Sequence, residues 1–202
     1  MHQIEFWFDF ASSYSYLSAM RIRKIAQKAG VTVLWKPFLL GPIFNAQGWH
    51  TSPFNLYAAK GKYMMRDMER ICVERGLDFT LPDPFPLNGL HAARISLVGH
   101  NEPWEKDFAR AALLAEFAEG RDIADLHVLE EILDGLGLDS VRIIAASQTS
   151  ANKTALRTRT NDAIRRDIFG APTFITDDGE LFWGDDRLEQ ALVWNPQGIS
   201  AL

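Results

Sequence analysis

The sequence predicts an α/β protein in which a βαβ unit opens the chain, an αββα unit closes it and helices fill the space between. Three observations predict this. Ile4, Phe6, Phe8 and Phe10 alternate and run into a helical face of Tyr14, Ile22, Ile25, Ala26 and Ala29. The middle of the chain carries only helical patterns separated by Gly and Pro. Two short β-branched and aromatic runs flank Asp177-Asp178-Gly179 near the end, a hairpin signal.

From Gln3 to Lys36 the order is strand, helix, strand. Gly30 stops the helix and Val31 to Trp35 has strand composition. Such a unit makes a parallel pair with a right-handed crossover. Phe6, Trp7 and Phe8 place aromatic rings on both faces of the first strand, so that strand is expected inside the sheet. The stretch from Pro37 to Pro53, punctuated by Gly41, Pro42 and Gly48, reads as a loop too apolar to be a solvated linker. It is expected to fold over a pocket.

Helical patterns follow over 56–75, 90–98, 104–119, 126–133 and 141–146, broken at Gly76, between Pro82 and Pro86, and at Pro103, Gly120 and Gly135-Leu136-Gly137. A polar helical run from Lys153 to Ile168 then meets Phe169-Gly170-Ala171-Pro172-Thr173, where a strand begins, and Gly184-Asp185-Asp186-Arg187 opens a last helix. Proline is allowed at the first residue of a strand, and a cis peptide is expected at Ala171–Pro172. These ends and this middle amount to a thioredoxin-like fold interrupted by a large all-helical insertion. The expected parts are 1–52 and 151–202 for the thioredoxin-like domain and 53–150 for the insertion.

Composition narrows the function. The 202 residues are 47% hydrophobic and 23% charged, ordinary for a globular chain that buries a core. A net charge of -5 with scattered cations argues against a nucleic-acid partner. The start of the chain lacks a basic, apolar leader and no apolar stretch has spanning length, so a soluble, cytoplasmic protein without a membrane partner is expected. Cys72 stands alone, which excludes an intramolecular disulfide and a dithiol oxidoreductase, and it reads as a packed apolar residue. His2, His50, His91, His100 and His127 show no ligand spacing, and no metal site is expected.

Thioredoxin-like folds carry their sulfur chemistry where the first strand meets the first helix, because a helix N-terminus favours negative charge. Here that junction reads Asp9-Phe10-Ala11-Ser12-Ser13-Tyr14 and offers hydroxyls, so the sulfur is expected to arrive with a ligand. Ser12 or Ser13 could instead serve only as a helix cap, a role worth about 1 kcal/mol.

Asp9-Phe10-Ala11-Ser12-Ser13-Tyr14-Ser15-Tyr16-Leu17, Phe169-Gly170-Ala171-Pro172-Thr173 and Phe182-Trp183-Gly184-Asp185-Asp186-Arg187-Leu188 resemble the three signature blocks of the 2-hydroxychromene-2-carboxylate isomerases. These are glutathione-dependent relatives of kappa-class glutathione transferases and DsbA-type oxidoreductases. Ala59-Lys60-Gly61-Lys62-Tyr63, Arg66-Asp67, Phe85-Pro86 and Ala92-Ala93-Arg94 extend the resemblance over nearly the whole chain. It implies that Ser12 faces the glutathione sulfur as the catalytic hydroxyl. It also implies that Ala171, before Pro172, pairs with the cysteinyl backbone and that Asp185 and Asp186 hold the γ-glutamyl end, Asp186 being the closer match. Two positions depart from the family pattern. Ser13 stands where proline is usual and could compete for the sulfur, and Trp49 stands where a glutathione-contacting asparagine is common.

The residues themselves add further candidates. Lys60 and Arg94 suit an anionic substrate carboxylate or the glycyl end of glutathione, or are simply solvated. Phe38, Trp49 and Phe54 suit an aromatic substrate, with core packing the ordinary alternative. The implied activity is isomerisation of 2-hydroxychromene-2-carboxylate to trans-o-hydroxybenzylidenepyruvate by reversible thiolate addition, in a homodimer. A kappa-like transferase and a non-catalytic glutathione- or peptide-binding module are the alternatives.

Overall fold

The computed structural model describes residues 2–49 and 56–195. Four strands form one sheet in the order β2-β1-β3-β4: β1 is Gln3–Phe8, β2 Thr32–Pro37, β3 Thr173–Thr176 and β4 Leu181–Trp183. β1 runs parallel to β2, with Phe6 opposite Trp35, and antiparallel to β3, with Phe6 opposite Phe174; β3 and β4 pair antiparallel. The first strand is internal, as its two-sided aromatic pattern predicts. Phe6 stacks on Phe8 and Phe174 on one face, at centroid distances of 5.0 and 5.5 Å. Trp7 lies on the opposite face, in a smaller core with Ile43, Ala163, Ile168 and Ile175.

Helix α1 (Ser13–Ala29) crosses from β1 to β2 and ends at Gly30, whose φ of 69° is the left-handed conformation that glycine adopts without strain. After α2 (Leu40–Ala46), the insertion supplies α3 (Ala58–Arg75), α4 (Leu90–Val98), α5 (Glu105–Phe117), α6 (Leu126–Gly135) and α7 (Ser140–Ser147). Helix α8 (Ser150–Arg165) leads back to the sheet. A 3₁₀ turn at Asp185–Arg187 and α9 (Leu188–Leu192) follow β4. The Ala171–Pro172 peptide is cis as expected, and Asp83–Pro84 and Phe85–Pro86 are cis as well. The expected boundary between 150 and 151 falls in the first turn of α8; the one between 52 and 53 lies outside the described residues.

One core unites sheet and insertion. Ile4, Phe6, Phe8 and Phe10 are continuous with Ile22 of α1 and with Phe108, Leu113 and Phe117 of α5, all of them 0% exposed. Met64, Met68 and Cys72, spaced four apart, form the buried face of α3.

The stretch expected as a loop from Pro37 to Pro53 is corrected at α2. No residue before this helix caps it, because Leu39 is apolar. The cap comes from Asp9, whose Oδ2 accepts the Leu40 N–H at 2.6 Å while Oδ1 accepts the Ala11 N–H at 2.9 Å. A cap supplied from the end of the neighbouring strand β1, some thirty residues earlier in the chain, leaves no local signal.

Asp9 is buried, and burial raises its pKa against the pull of those two amides. Behind it on α5 lies Glu116, 0% exposed, with neither carboxyl oxygen hydrogen-bonded. Burial is the first cause that raises the Glu116 pKa, and repulsion from Asp9 and Asp122 adds to it. An acid raised in the folded state binds its proton more tightly there, so stability falls as pH climbs from the unfolded carboxylate range, about 4.3, toward the folded value. Glu116→Gln removes that dependence. Thermal melts from pH 4 to 8 should show the variant gaining on the wild type progressively above about pH 5; a variant that loses ground to the wild type as pH rises would mean that the charged carboxylate stabilises.

Candidate active site

A cleft of about 1490 Å³ opens where the first turn of α1, the segment before β3 and the 3₁₀ turn after β4 converge, with α3 as its far wall. Ser12, Ala171 and Pro172 lie on its surface together. Ser12 has extended φ and ψ of -100° and 111° and is the N-cap of α1, its Oγ accepting the Ser15 N–H at 3.2 Å. The same hydroxyl donates to the Ala171 carbonyl at 2.9 Å. Capping and contact with the cis-proline segment are therefore one geometry. The Ala171 N–H has no partner among the described residues. Ser13 is 2% exposed, and its hydroxyl turns toward the Met64 thioether at 4.0 Å.

The two aspartates after β4 differ sharply. Asp185 is 3% exposed. Its Oδ1 accepts from the Ser18 hydroxyl at 2.8 Å and Arg21 Nε at 3.0 Å, and its Oδ2 pairs with Arg75 at 2.7 Å. It fastens α1, the end of α3 and the 3₁₀ turn together, and its acceptor capacity is used. The Asp186 side chain is 74% exposed at the cleft, with only a 3.7 Å approach from Arg187. Adjacent aspartates at a helix start look alike in sequence; burial separates them.

Trp49 lines the cleft with its ring 5.8 Å from Phe44, and Lys60 is exposed on the rim, 5.0 Å over the Tyr57 ring. Two expected substrate residues are elsewhere. Phe38 is 0% exposed and packs edge-on to Trp7 at 6.0 Å, because its N–H continues the β1–β2 ladder to the Phe8 carbonyl and turns the ring onto the α8 face. Arg94 sits among α4, α7 and α8, where its guanidinium donates to Gln148 at 3.4 Å and its carbonyl accepts from Asn152. Phe54 lies outside the described residues.

Some cleft residues escaped the sequence reading. Tyr14 and Asp67 join α1 to α3 through a 2.8 Å hydrogen bond at the cleft wall. Burial first, and then that bond, raise the phenol pKa, so Tyr14 stays protonated. In the sequence Tyr14 falls on the apolar face of α1, and the Arg66-Asp67 pair is the one available signal. Asp9 lies on the cleft floor. Cys72 is 1% exposed, and burial pushes its thiol up to about 11, so it is no nucleophile. Among the described residues no cluster of His, Cys, Asp and Glu could hold a metal ion, and no helix is long and apolar enough to cross a membrane.

The residues present fit a bound glutathione: an open amide at Ala171, a hydroxyl at a helix N-terminus, an exposed carboxylate at Asp186 with only the long Arg187 contact and a cation at Lys60 border one cleft.

Comparison with known proteins agrees with this architecture. The 2-hydroxychromene-2-carboxylate isomerase of Sphingobium xenophagum is 28% identical over 186 residues, covering 92% of this chain and 94% of its own length. Glutathione S-transferase kappa 2 of Caenorhabditis elegans is 27% identical over 201 residues, 93% of this chain and 88% of that protein. The crystal structure of a 2-hydroxychromene-2-carboxylate isomerase superposes with a TM-score of 0.83 at 26% identity, covering 93% of this chain and 91% of that one. The family model of the DsbA-like thioredoxin domain matches residues 3–192, and the chain belongs to that family.

Proposed function

We propose that this chain is a glutathione-dependent isomerase of the 2-hydroxychromene-2-carboxylate type, acting on an aromatic pyruvate. The observation that carries the reading is the pairing of the Ser12 hydroxyl with Ala171 at the mouth of α1, in a chain whose only cysteine is buried in α3. The names of the isomerase and kappa-class relatives support it. A homodimer in a reducing, cytoplasmic setting goes with the same reading, the unpaired Cys72 being compatible with it.

In this mechanism the Ala171 N–H meets a backbone carbonyl of glutathione as a neighbouring strand would. Asp186 receives the γ-glutamyl ammonium, and Lys60 faces a carboxylate. Bound there, glutathione would supply a nucleophilic sulfur for reversible addition to a conjugated carbon of the substrate. Ser12 donates to the sulfur at the positive end of α1, which favours the thiolate over the thiol. A charge-assisted hydrogen bond of this kind is worth roughly 1.5–3 kcal/mol, or about one to two decades in the thiol equilibrium. Tyr14, kept protonated, holds α3 over the cleft through Asp67.

Three measurements test this. With 2-hydroxychromene-2-carboxylate and glutathione, ultraviolet spectra should show isomerisation while the free-thiol count stays constant. Stoichiometric loss of thiol would establish a kappa-like transferase instead. Ser12→Ala should lower kcat/KM about 10- to 100-fold with little change in glutathione affinity; an unaltered rate would remove Ser12 from the mechanism. Asp186→Asn should weaken glutathione binding at least fivefold with an unchanged Tm, whereas Asp185→Asn, which breaks a buried ion cluster, should lower Tm by roughly 5–10 °C. Equal effects of both substitutions on binding would contradict the assignment.

A further inference from the structure

The geometry points to Phe169 and Trp183 as the platform that receives the aromatic ring of the substrate, with the Trp183 indole N–H aimed at an oxygen substituent on that ring. The inference deepens the isomerase reading and rests on it. Both side chains border the cleft, and their rings contact at 5.0 Å and 58°. They are 47% and 52% exposed, in a fold whose sheet aromatics Phe6, Trp7, Phe8 and Phe174 are all buried. Two large rings left open side by side on a cleft wall are a surface for another flat apolar group.

Their positions are fixed by the backbone that carries Ala171. Trp183 lies opposite Thr173 in the β3–β4 pair, and the Gly184 N–H donates to the Pro172 carbonyl at 3.0 Å. Phe169 precedes Ala171 by two residues. Between them, a Cβ at Gly170 would come within 2.3 Å of Trp183 Nε1, so the indole rests directly on glycine backbone. The platform is thereby joined to the residue that holds the Ser12 hydroxyl. The indole nitrogens of Trp7 and Trp194 donate to Glu5 and Asp178, while that of Trp183 has no partner among the described residues. An aryl ring bearing an acceptor oxygen satisfies both the faces and the donor.

Calorimetric titration without glutathione tests this with two probes, benzylidenepyruvate and its 2-methoxy derivative, which keeps the acceptor oxygen and cannot cyclise. Wild type should bind the methoxy compound more tightly. Trp183→Phe should equalise the two, and Trp183→Ala and Phe169→Ala should weaken both about tenfold, with glutathione affinity and circular dichroism unchanged. The proposal is overturned if Trp183→Ala binds both probes as wild type does, if wild type binds neither, or if Trp183→Ala alters the mass of the particle in solution, which would make the pair a self-contact. Platform binding without any isomerisation of the chromene would leave Phe169 and Trp183 as an aryl-binding surface and remove the isomerase reading beneath it.

Discussion

The carboxylate of Asp9 is the constraint on which the cleft depends. One oxygen holds the turn between β1 and α1; the other starts α2. Without it, the entrances of α1 and α2 would lose their common anchor. Buried acceptors serve this purpose well because a carboxylate binds amide hydrogens more strongly than a neutral group does, and an unmade bond in a dry interior is costly. The position has an electrostatic cost as well: Asp9 and Glu116 are buried in one region, and repulsion from Asp9 makes Glu116 harder to ionise.

Asp185 does for the other end of the cleft what Asp9 does for the floor. Its links to Ser18, Arg21 and Arg75 bind the insertion to the sheet at one point, and the shared hydrophobic core binds them over a wide area. The insertion is thus a wall of the cleft rather than a separate body. A junction that elsewhere in this fold carries a cysteine is here kept as a rigid polar frame around open space, the arrangement expected where the reactive group is brought in from solution.

Much of this was legible in the residues. Local signals located α4 at its observed ends and put the turn at Asp177-Asp178-Gly179, because helix periodicity and turn chemistry act over a few residues. The two-faced aromatic pattern of β1 placed it inside the sheet. What was missed depends on distance in space. Helix α2 is started by an acid from another strand, so its own residues do not announce it. Phe38 and Trp49 are aromatic residues of one stretch, yet a continued ladder bond turns the first into the core and the second borders the cleft. Arg94 resembles a ligand-binding cation until it is seen beside Gln148 among α4, α7 and α8, away from the cleft. Phe169 and Trp183 belong to two of the motif blocks, but only their half-exposure marks them as a surface.

Ser12 carries a single hydroxyl hydrogen, and the structure shows it given to the Ala171 carbonyl. A sulfur settling over the helix tip must win that hydrogen from a neutral amide oxygen, a contest that a thiolate wins and a thiol does not. The serine would then act as a discriminator of protonation state: it ignores the neutral visitor, turns toward the anionic one, and in doing so releases a backbone carbonyl one step ahead of the proline.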